Sequence, residues 1–474
     1  MRLATAALAA LALAAPPVQA ADGEWLAGDL HVHTTYSHDT YGGPSDDNTG
    51  PEEAYTLGFS VGEQFQNAAT RGLDFLAITD HNDIRSQTDP GFGAAGVAPL
   101  PGYENSLKGH AQMLGATMLY PNEDESATGV QTTADALRAD GGLFQINHPA
   151  DGSTDFPHDA DWSYLYAVQP DTVEVWNISR IYQPPFPSAS SNDDAVRYWE
   201  GWLDRGAKVT ATGGSDNHWR STFAAQGVGQ PTTWVYASEP NAEGLLEGVR
   251  AGRTFISHQP PSAAGPRLFL EGEGVMVGGE VRPGAPLRVR VQGGSGTLLR
   301  IIATGSKPLG EQVPVTGPAF EHEFKAPAEP GWVRAELFDP DLAEQRNAAC
   351  GESETTYCRN MLGVTAMTSA IYVRSAPGPA PPAVRAPRLN VRPKPCVRSR
   401  LLAHVRGPGI RHVRFFVDGR HRGRARVDRR GRWYLNRRLG LRPGPHRVRA
   451  RVTFTDTRRT RRDLRAGFRV CKAR

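Results

Sequence analysis

Between Glu24 and about Pro261, short apolar runs alternate with helical segments, and that alternation restricts the fold more than any other feature. Leu30–His33, Leu73–Thr79, Leu143–Asn147, Thr172–Trp176 and Lys208–Thr212 read as strands. Val61–Arg71, Thr133–Ala139 and Asp193–Arg205 read as helices, the last with Val196, Trp199 and Leu203 at helical spacing. Repeated strand–helix alternation predicts an α/β domain with a largely parallel sheet, open or closed into a barrel. In such domains chemistry sits at the carboxyl ends of the strands. Reactive side chains should therefore fall where strands finish.

They do so repeatedly. The first strand ends in His31-Val32-His33, two imidazoles on one face of the strand, followed by His38-Asp39. The second ends in Asp80-His81-Asn82, and Pro101-Gly102-Tyr103-Glu104 follows with His110 close behind. His148-Pro149 closes Leu143–Asn147, and Lys208–Thr212 runs into Gly213-Gly214-Ser215-Asp216-Asn217-His218. A single buried histidine is commonly a hydrogen-bonded core residue. Here nine histidines precede Pro261 and seven lie in these motifs. That number exceeds the four ligands of one zinc and predicts a cluster of two or three ions.

The ordered series HVHTTYS, ITDHN, PGYE, NHP and GGSDNH resembles the PHP family, named for polymerase and histidinol phosphatase, over roughly residues 24–262. The resemblance implies a distorted (β/α)7 barrel with a site for two or three zinc, manganese or iron ions. Its implied ligands are His31, His33, His81, Glu104, His110, His148, Asp216 and His218, with Glu104 bridging two metals. The first motif supplies one more. The commoner family form places it at His38 and other members at Asp39; Asp39 is preferred here. Thr232–Tyr236, Ala251–Ser257 and Thr368–Val373 resemble a secreted branch related to carbaryl hydrolase, which carries a β-sandwich after the barrel.

The reaction expected of such a site is hydrolysis by a metal-bound hydroxide, with phosphoesters favoured over carbamates, esters or amides. No nucleotide loop, redox-cofactor motif or nucleophilic serine elbow competes with it. His148 or His218 is a candidate to protonate the leaving group. Arg180, at another strand end, is a candidate to hold a phosphate in its fork; Lys108 and Arg220 have no stronger claim.

The remaining chain divides by composition. Residues 1–20 read as a signal peptide: Arg2, an apolar run from Leu3 to Ala15, and a Val18-Gln19-Ala20 cleavage site. The protein is thus expected to be secreted, with cell-wall association as a further expectation, and to have no transmembrane segment. The metallohydrolase domain spans 23–262. Residues 263–376 alternate with period two and show no helix, which predicts a β-sandwich. A Pro-rich linker, 377–387, precedes a basic immunoglobulin-like domain at 388–474. Residues 381–474 hold 30 Lys/Arg against 4 Asp/Glu, although the whole chain is only +3. An anionic cell-wall polymer or nucleic acid is the partner that charge would suit, and a non-catalytic binder is the third functional reading. Four cysteines in an oxidising compartment pair most simply as Cys350–Cys358 and Cys396–Cys471. A four-cysteine zinc site would want CxxC spacing, which is lacking.

Overall fold

The computed structural model describes residues 23–40, 57–107, 109–150, 162–177, 192–218, 220, 227–350, 363–375, 388–392, 396–398, 400–406, 410–428, 432–438, 440–454 and 462–471. It is a mixed α/β, multidomain chain with two compact units, residues 1–376 and 377–474.

In the first unit the strands are β1 (Glu24–Val32), β2 (Phe75–Ile78), β3 (Ala98–Pro101), β4 (Glu104–Leu107), β5 (Gly109–Leu114), β6 (Leu143–Ile146), β7 (Thr172–Asn177), β8 (Thr210–Gly214), β9 (Thr232–Ala237) and β10 (Thr254–Ser257). The helices among them are α1 (Val61–Thr70), α2 (Ala127–Asp140), α3 (Asn192–Asp204) and α4 (Ala242–Arg250). A reciprocal Ser60–Glu63 capping box starts α1. Its Val61, Phe65 and Ala68, on one helical stripe, are fully buried. Helix α3 buries Val196, Trp199 and Leu203 as its spacing predicts, together with Trp202.

The pairing is more mixed than expected. The pairs β1–β2, β2–β3, β6–β7 and β7–β8 are parallel. The pairs β4–β5, β5–β6, β1–β9 and β9–β10 are antiparallel. The single residue between β4 and β5 leaves no room for the crossover a parallel pair needs.

These strands lie in two sheets, one ordered β4-β5-β6-β7-β8 and one containing β10-β9-β1-β2-β3. The sheets meet at the carboxyl ends of β1 and β2. Val32 bridges Asn217, with Asp216 N–H donating to His31 O at 2.9 Å and His33 N–H to Asn217 O at 3.0 Å. His81 bridges Glu104, with Glu104 N–H donating to Thr79 O at 3.1 Å and Asn82 N–H to Glu104 O at 2.8 Å. Both seams consist of motif residues, so the strand ends converge there.

The second sheet continues past residue 262. β10 pairs antiparallel with Val364–Thr368, which pairs with Gly331–Phe338, so one twelve-stranded sheet serves both segments. A four-stranded sheet (Val275–Met276, Arg267–Gly272, Pro286–Gln292, Ala319–Lys325) faces it across a core that includes Leu268, Val289, Val291, Leu299, Ala335 and Ile371. The sandwich character is present, but the helix-free expectation fails. Pro340–Cys350 is helical. Asp339 caps it through Leu342 N–H at 3.0 Å, with proline in the first turn, where a missing N–H costs nothing.

The second unit has two four-stranded sheets around Leu401, Ala403, Val405, Val413, Phe415, Val417, Val448, Ala450 and Val452. Cys396 and Cys471 are disulfide-bonded; the other expected pair involves Cys358, outside the described residues. Among the described residues no helix is long and apolar enough to cross a membrane.

Candidate metal centre

β1 is buried on both faces over its last seven residues, and His33 just beyond it is buried too, so His31 and His33 have no solvent to turn to. Their Nε2 atoms lie 3.0 Å apart. Both sit 3.2 Å from Glu104 Oε2, and 3.1 and 3.2 Å respectively from Asp216 Oδ1. His81 Nδ1 approaches the same Glu104 oxygen at 3.3 Å. The other oxygen, Oε1, faces His110 Nδ1 at 3.1 Å and His148 Nε2 at 3.4 Å, and accepts from Asn147 Nδ2 at 2.7 Å. One buried carboxylate therefore stands against five imidazoles, three on one oxygen and two on the other.

A further group forms around Asp39. Its Oδ2 lies 3.0 Å from His218 Nε2 and 3.8 Å from His81 Nε2, and the His218 ring stacks on His33 at 3.7 Å between centroids. His38 is exposed, its ring 4.8 Å from that of His81. The structure thus brings together His31, His33, Asp39, His81, Glu104, His110, His148, Asp216 and His218. Arg180 lies outside the described residues, as does Lys108. Arg220 is committed elsewhere: it pairs with Glu63 and donates Nε–H to Gly58 O at 2.8 Å.

The rings are held from behind. Glu174 Oε1 accepts from His31 Nδ1 at 3.0 Å, and Asp216 O accepts from His218 Nδ1 at 2.8 Å. Because these acceptors fix the proton on Nδ1, the neutral rings turn Nε2 lone pairs inward, towards carboxylate oxygens. Acceptors facing acceptors are stable only with positive charge between them, supplied by extra protons or by a cation. Burial opposes charging His31, yet Asp216, Glu104 and Glu174 hold its pKa well above the usual imidazole value. His33, likewise buried, is pushed up to about 9 by Asp216 and Glu104. Glu104 and Asp216 are held well below the carboxylate range despite burial, chiefly by His31. His81 is depressed, with burial the largest cause. A buried set of imidazoles and carboxylates is the donor chemistry that zinc, manganese and iron take, so these residues fit divalent ions.

The backbone is shaped for this convergence. Asn82, His148 and Asp216, one in each of three strand-end motifs, have positive φ (48°, 21° and 51°), uncommon for residues other than glycine. Gly214 permits the closest approach: a Cβ there would lie 2.3 Å from His31 Cβ and 2.5 Å from Glu174 Oε1.

Sequence reading missed Glu174. Its signal was present, since a carboxylate within Thr172-Val173-Glu174-Val175-Trp176 occupies a strand buried throughout and a buried charge requires a partner. Gln64, which donates to His33 O at 2.8 Å and Asn217 Oδ1 at 2.9 Å, was also missed. It lies on a helix whose other buried positions are apolar.

The family model that matches the chain is described as a protein of unknown function (DUF3604) and covers residues 20–90. No curated protein matches. Among solved structures the chain is similar to a two-domain protein from Bacteroides vulgatus containing a predicted PHP-like metal-dependent phosphoesterase. Identity is 15%, over 67% of this chain and 91% of that one, with a TM-score of 0.37. Fibronectin(III)-like modules from Clostridium thermocellum match at 14% identity over 43% of this chain and 94% of theirs, with a TM-score of 0.22. Likenesses at these scores carry no argument about activity.

Proposed function

We propose that this chain is a secreted metal-dependent hydrolase acting on phosphoesters. The observation that carries the reading is Glu104, with Oε2 against His31, His33 and His81 and Oε1 against His110 and His148. A carboxylate so placed suits the bridge between two ions. The proposed ligands are His31, His33, Asp39, His81, Glu104, His110, His148, Asp216 and His218, for two or three zinc, manganese or iron ions. Asp39 is preferred over His38 because it faces His218 and His81 while His38 is exposed. The two seams, Val32–Asn217 and His81–Glu104, support reading β1, β2 and β4–β8 as a seven-stranded ring of the PHP type.

Divalent ions bound there would lower the pKa of a coordinated water towards neutrality and offset charge developing on the ester oxygens. The chain's own residues do the rest. Glu174 and the Asp216 carbonyl fix the tautomers of His31 and His218. Asn147 orients Glu104. Of the His148/His218 pair, His148 Nε2 makes the looser contacts, 3.4 Å from Glu104 and 4.0 Å from Asp216 against 3.0 Å between His218 Nε2 and Asp39, and is the better candidate to hand a proton to a leaving group when it is not bound to an ion. Arg180 keeps its proposed role of gripping a phosphate. The Cys396–Cys471 disulfide agrees with an extracellular protein, since such bonds persist in oxidising compartments, and residues 1–20 are proposed as the export signal.

The test is a chelated protein reloaded with Mn or Zn and offered aryl phosphomonoesters, aryl phosphodiesters, aryl esters and aryl carbamates. Metal-dependent turnover fastest on a phosphoester is expected. Faster turnover of the ester or carbamate would replace the phosphoester reading. A metal-loaded protein that turns over none of them contradicts the hydrolase reading.

A further inference from the structure

We propose that one sheet face of the C-terminal unit binds a linear polyol-phosphate polymer, a phosphodiester chain without bases. The sheet is built from Arg420–Arg424, Ile410–Val417, Gly444–Phe454 and Arg462–Val470, in that spatial order. Val413, Phe415 and Val417 on one strand, and Val448, Ala450 and Val452 on its neighbour, are buried in the core. Alternation then puts Arg414, Phe416, Arg447, Arg449 and Arg451 on the opposite face. The register pairs Arg449 with Arg465, Arg414 with Arg451 and Pro445 with Arg469. Six arginines therefore share this face: 414, 447, 449, 451, 465 and 469.

Arg447, Arg465 and Arg469 are exposed. Asp463 is the one carboxylate in these four strands, 3.4 Å from Arg449 and 3.5 Å from Arg451. Directly opposed like charges destabilise a sheet. Arg414–Arg451 and Arg449–Arg465 are two such pairs, and Asp463 beside Arg449 and Arg451 offsets them in part. Arg447, Arg449 and Arg451 form a row with a repeat of about 7 Å along the strand, suited to a ligand with regularly repeated charge. Guanidinium forks match phosphate oxygens in a way that ammonium groups do not.

The same face is poorly equipped to stack or read bases. Its outward aromatic, Phe416, has Arg449 and Arg451 over its ring, at 4.4 and 5.3 Å from the centroid. A base would have to displace them to stack. None of the four strands contains Asn or Gln to pair with a base edge. Arginine forks can reach guanine edges, but with no open ring to stack a base on and no amide for adenine the face favours phosphates. The inference does not depend on the metal centre.

The full-length protein is titrated with synthetic poly(glycerol phosphate) of about twenty units over a range of salt, with duplex DNA and polyglutamate of equal charge as comparisons. Binding to poly(glycerol phosphate) is expected to be tightest. The triple variant Arg447→Gln/Arg465→Gln/Arg469→Gln should weaken it at least about tenfold and reduce the slope of log K against log salt by about two. The same positions changed to Lys should retain most of the affinity, and Arg400→Gln/Arg406→Gln/Arg438→Gln on the other sheet should weaken it by less than about threefold. Thermal unfolding of each variant separates lost binding from lost folding. Equal losses from the two Gln triples, tighter binding to DNA or polyglutamate, or no binding by the wild type would overturn the proposal.

Discussion

Glu174→Gln is the sharpest perturbation of the centre that leaves every ligand in place. Glu174 receives three donors: His31 Nδ1 at 3.0 Å on Oε1, and His148 N–H and Asn177 Nδ2, both at 3.1 Å, on Oε2. A carboxylate accepts all three. A carboxamide has one acceptor oxygen, so its NH2 must face a donor whichever way it turns. Turned towards His31, it forces that ring's proton onto Nε2, the atom facing Glu104 and Asp216. Turned the other way, it leaves the His148 and Asn177 donors unsatisfied in a buried site. Either outcome costs about 1–3 kcal/mol, and loss of an outer partner of a metal-binding histidine lowers metal affinity about 10–100-fold. Competition with a fluorescent chelator gives the affinity, and thermal unfolding of the metal-free protein gives the stability cost. Unchanged values for both would refute the role given to Glu174 and the tautomer argument built on it.

Gly214→Ala should also weaken metal binding, because its Cβ would meet His31 Cβ at 2.3 Å; a cost of about 1–3 kcal/mol is expected, and wild-type chelator competition would contradict the crowding argument. Arg334 is buried between Glu200 and Glu336, 2.7 Å from each. Arg334→Met leaves Glu200 with Ser306 and Glu336 with Arg300 at 3.6 Å, each short of its closest cation, and should destabilise the first unit by about 3 kcal/mol in urea unfolding, whereas a loss below about 1 kcal/mol would mean that these remaining partners, water or protons suffice. His446 has its pKa raised by the Arg442 carbonyl and by Asp418, 2.6 Å away. The folded state thus holds that proton more tightly than the unfolded chain. The stabilisation is complete below the ordinary histidine value of about 6.5 and is lost as pH rises through the raised folded one, an effect under about 1 kcal/mol for so exposed a pair. An NMR titration midpoint above 6.5 that falls in Asp418→Asn is expected; a midpoint at or below the ordinary value would exclude the pairing.

What sequence could reveal here follows from what each feature depends on. Strand-end histidines were legible because a strand's direction and its last residue are local properties, and His31, His33, His81 and His148 all stand where an apolar run stops. The choice between His38 and Asp39 was not legible, since adjacent residues in a loop differ only in which one the fold turns inward. Glu174 was readable in principle from a charge inside an apolar strand, but its partner, His31, is 143 residues away. The helix Pro340–Cys350 carried its own signal in Asp339-Pro340, outweighed by the period-two pattern on either side. The continuous sheet joining β10 to Val364–Thr368 could not be foreseen, because strand pairing across more than a hundred residues leaves no mark in either strand.

The most direct test of the central claim is metal content by elemental analysis of the mature protein and of His31→Ala, purified identically and checked for folding. Two or three equivalents of zinc, manganese or iron are expected in the wild type, with near-stoichiometric loss of at least one in the variant. A folded wild type without metal, or a variant with an unchanged load, would contradict that claim.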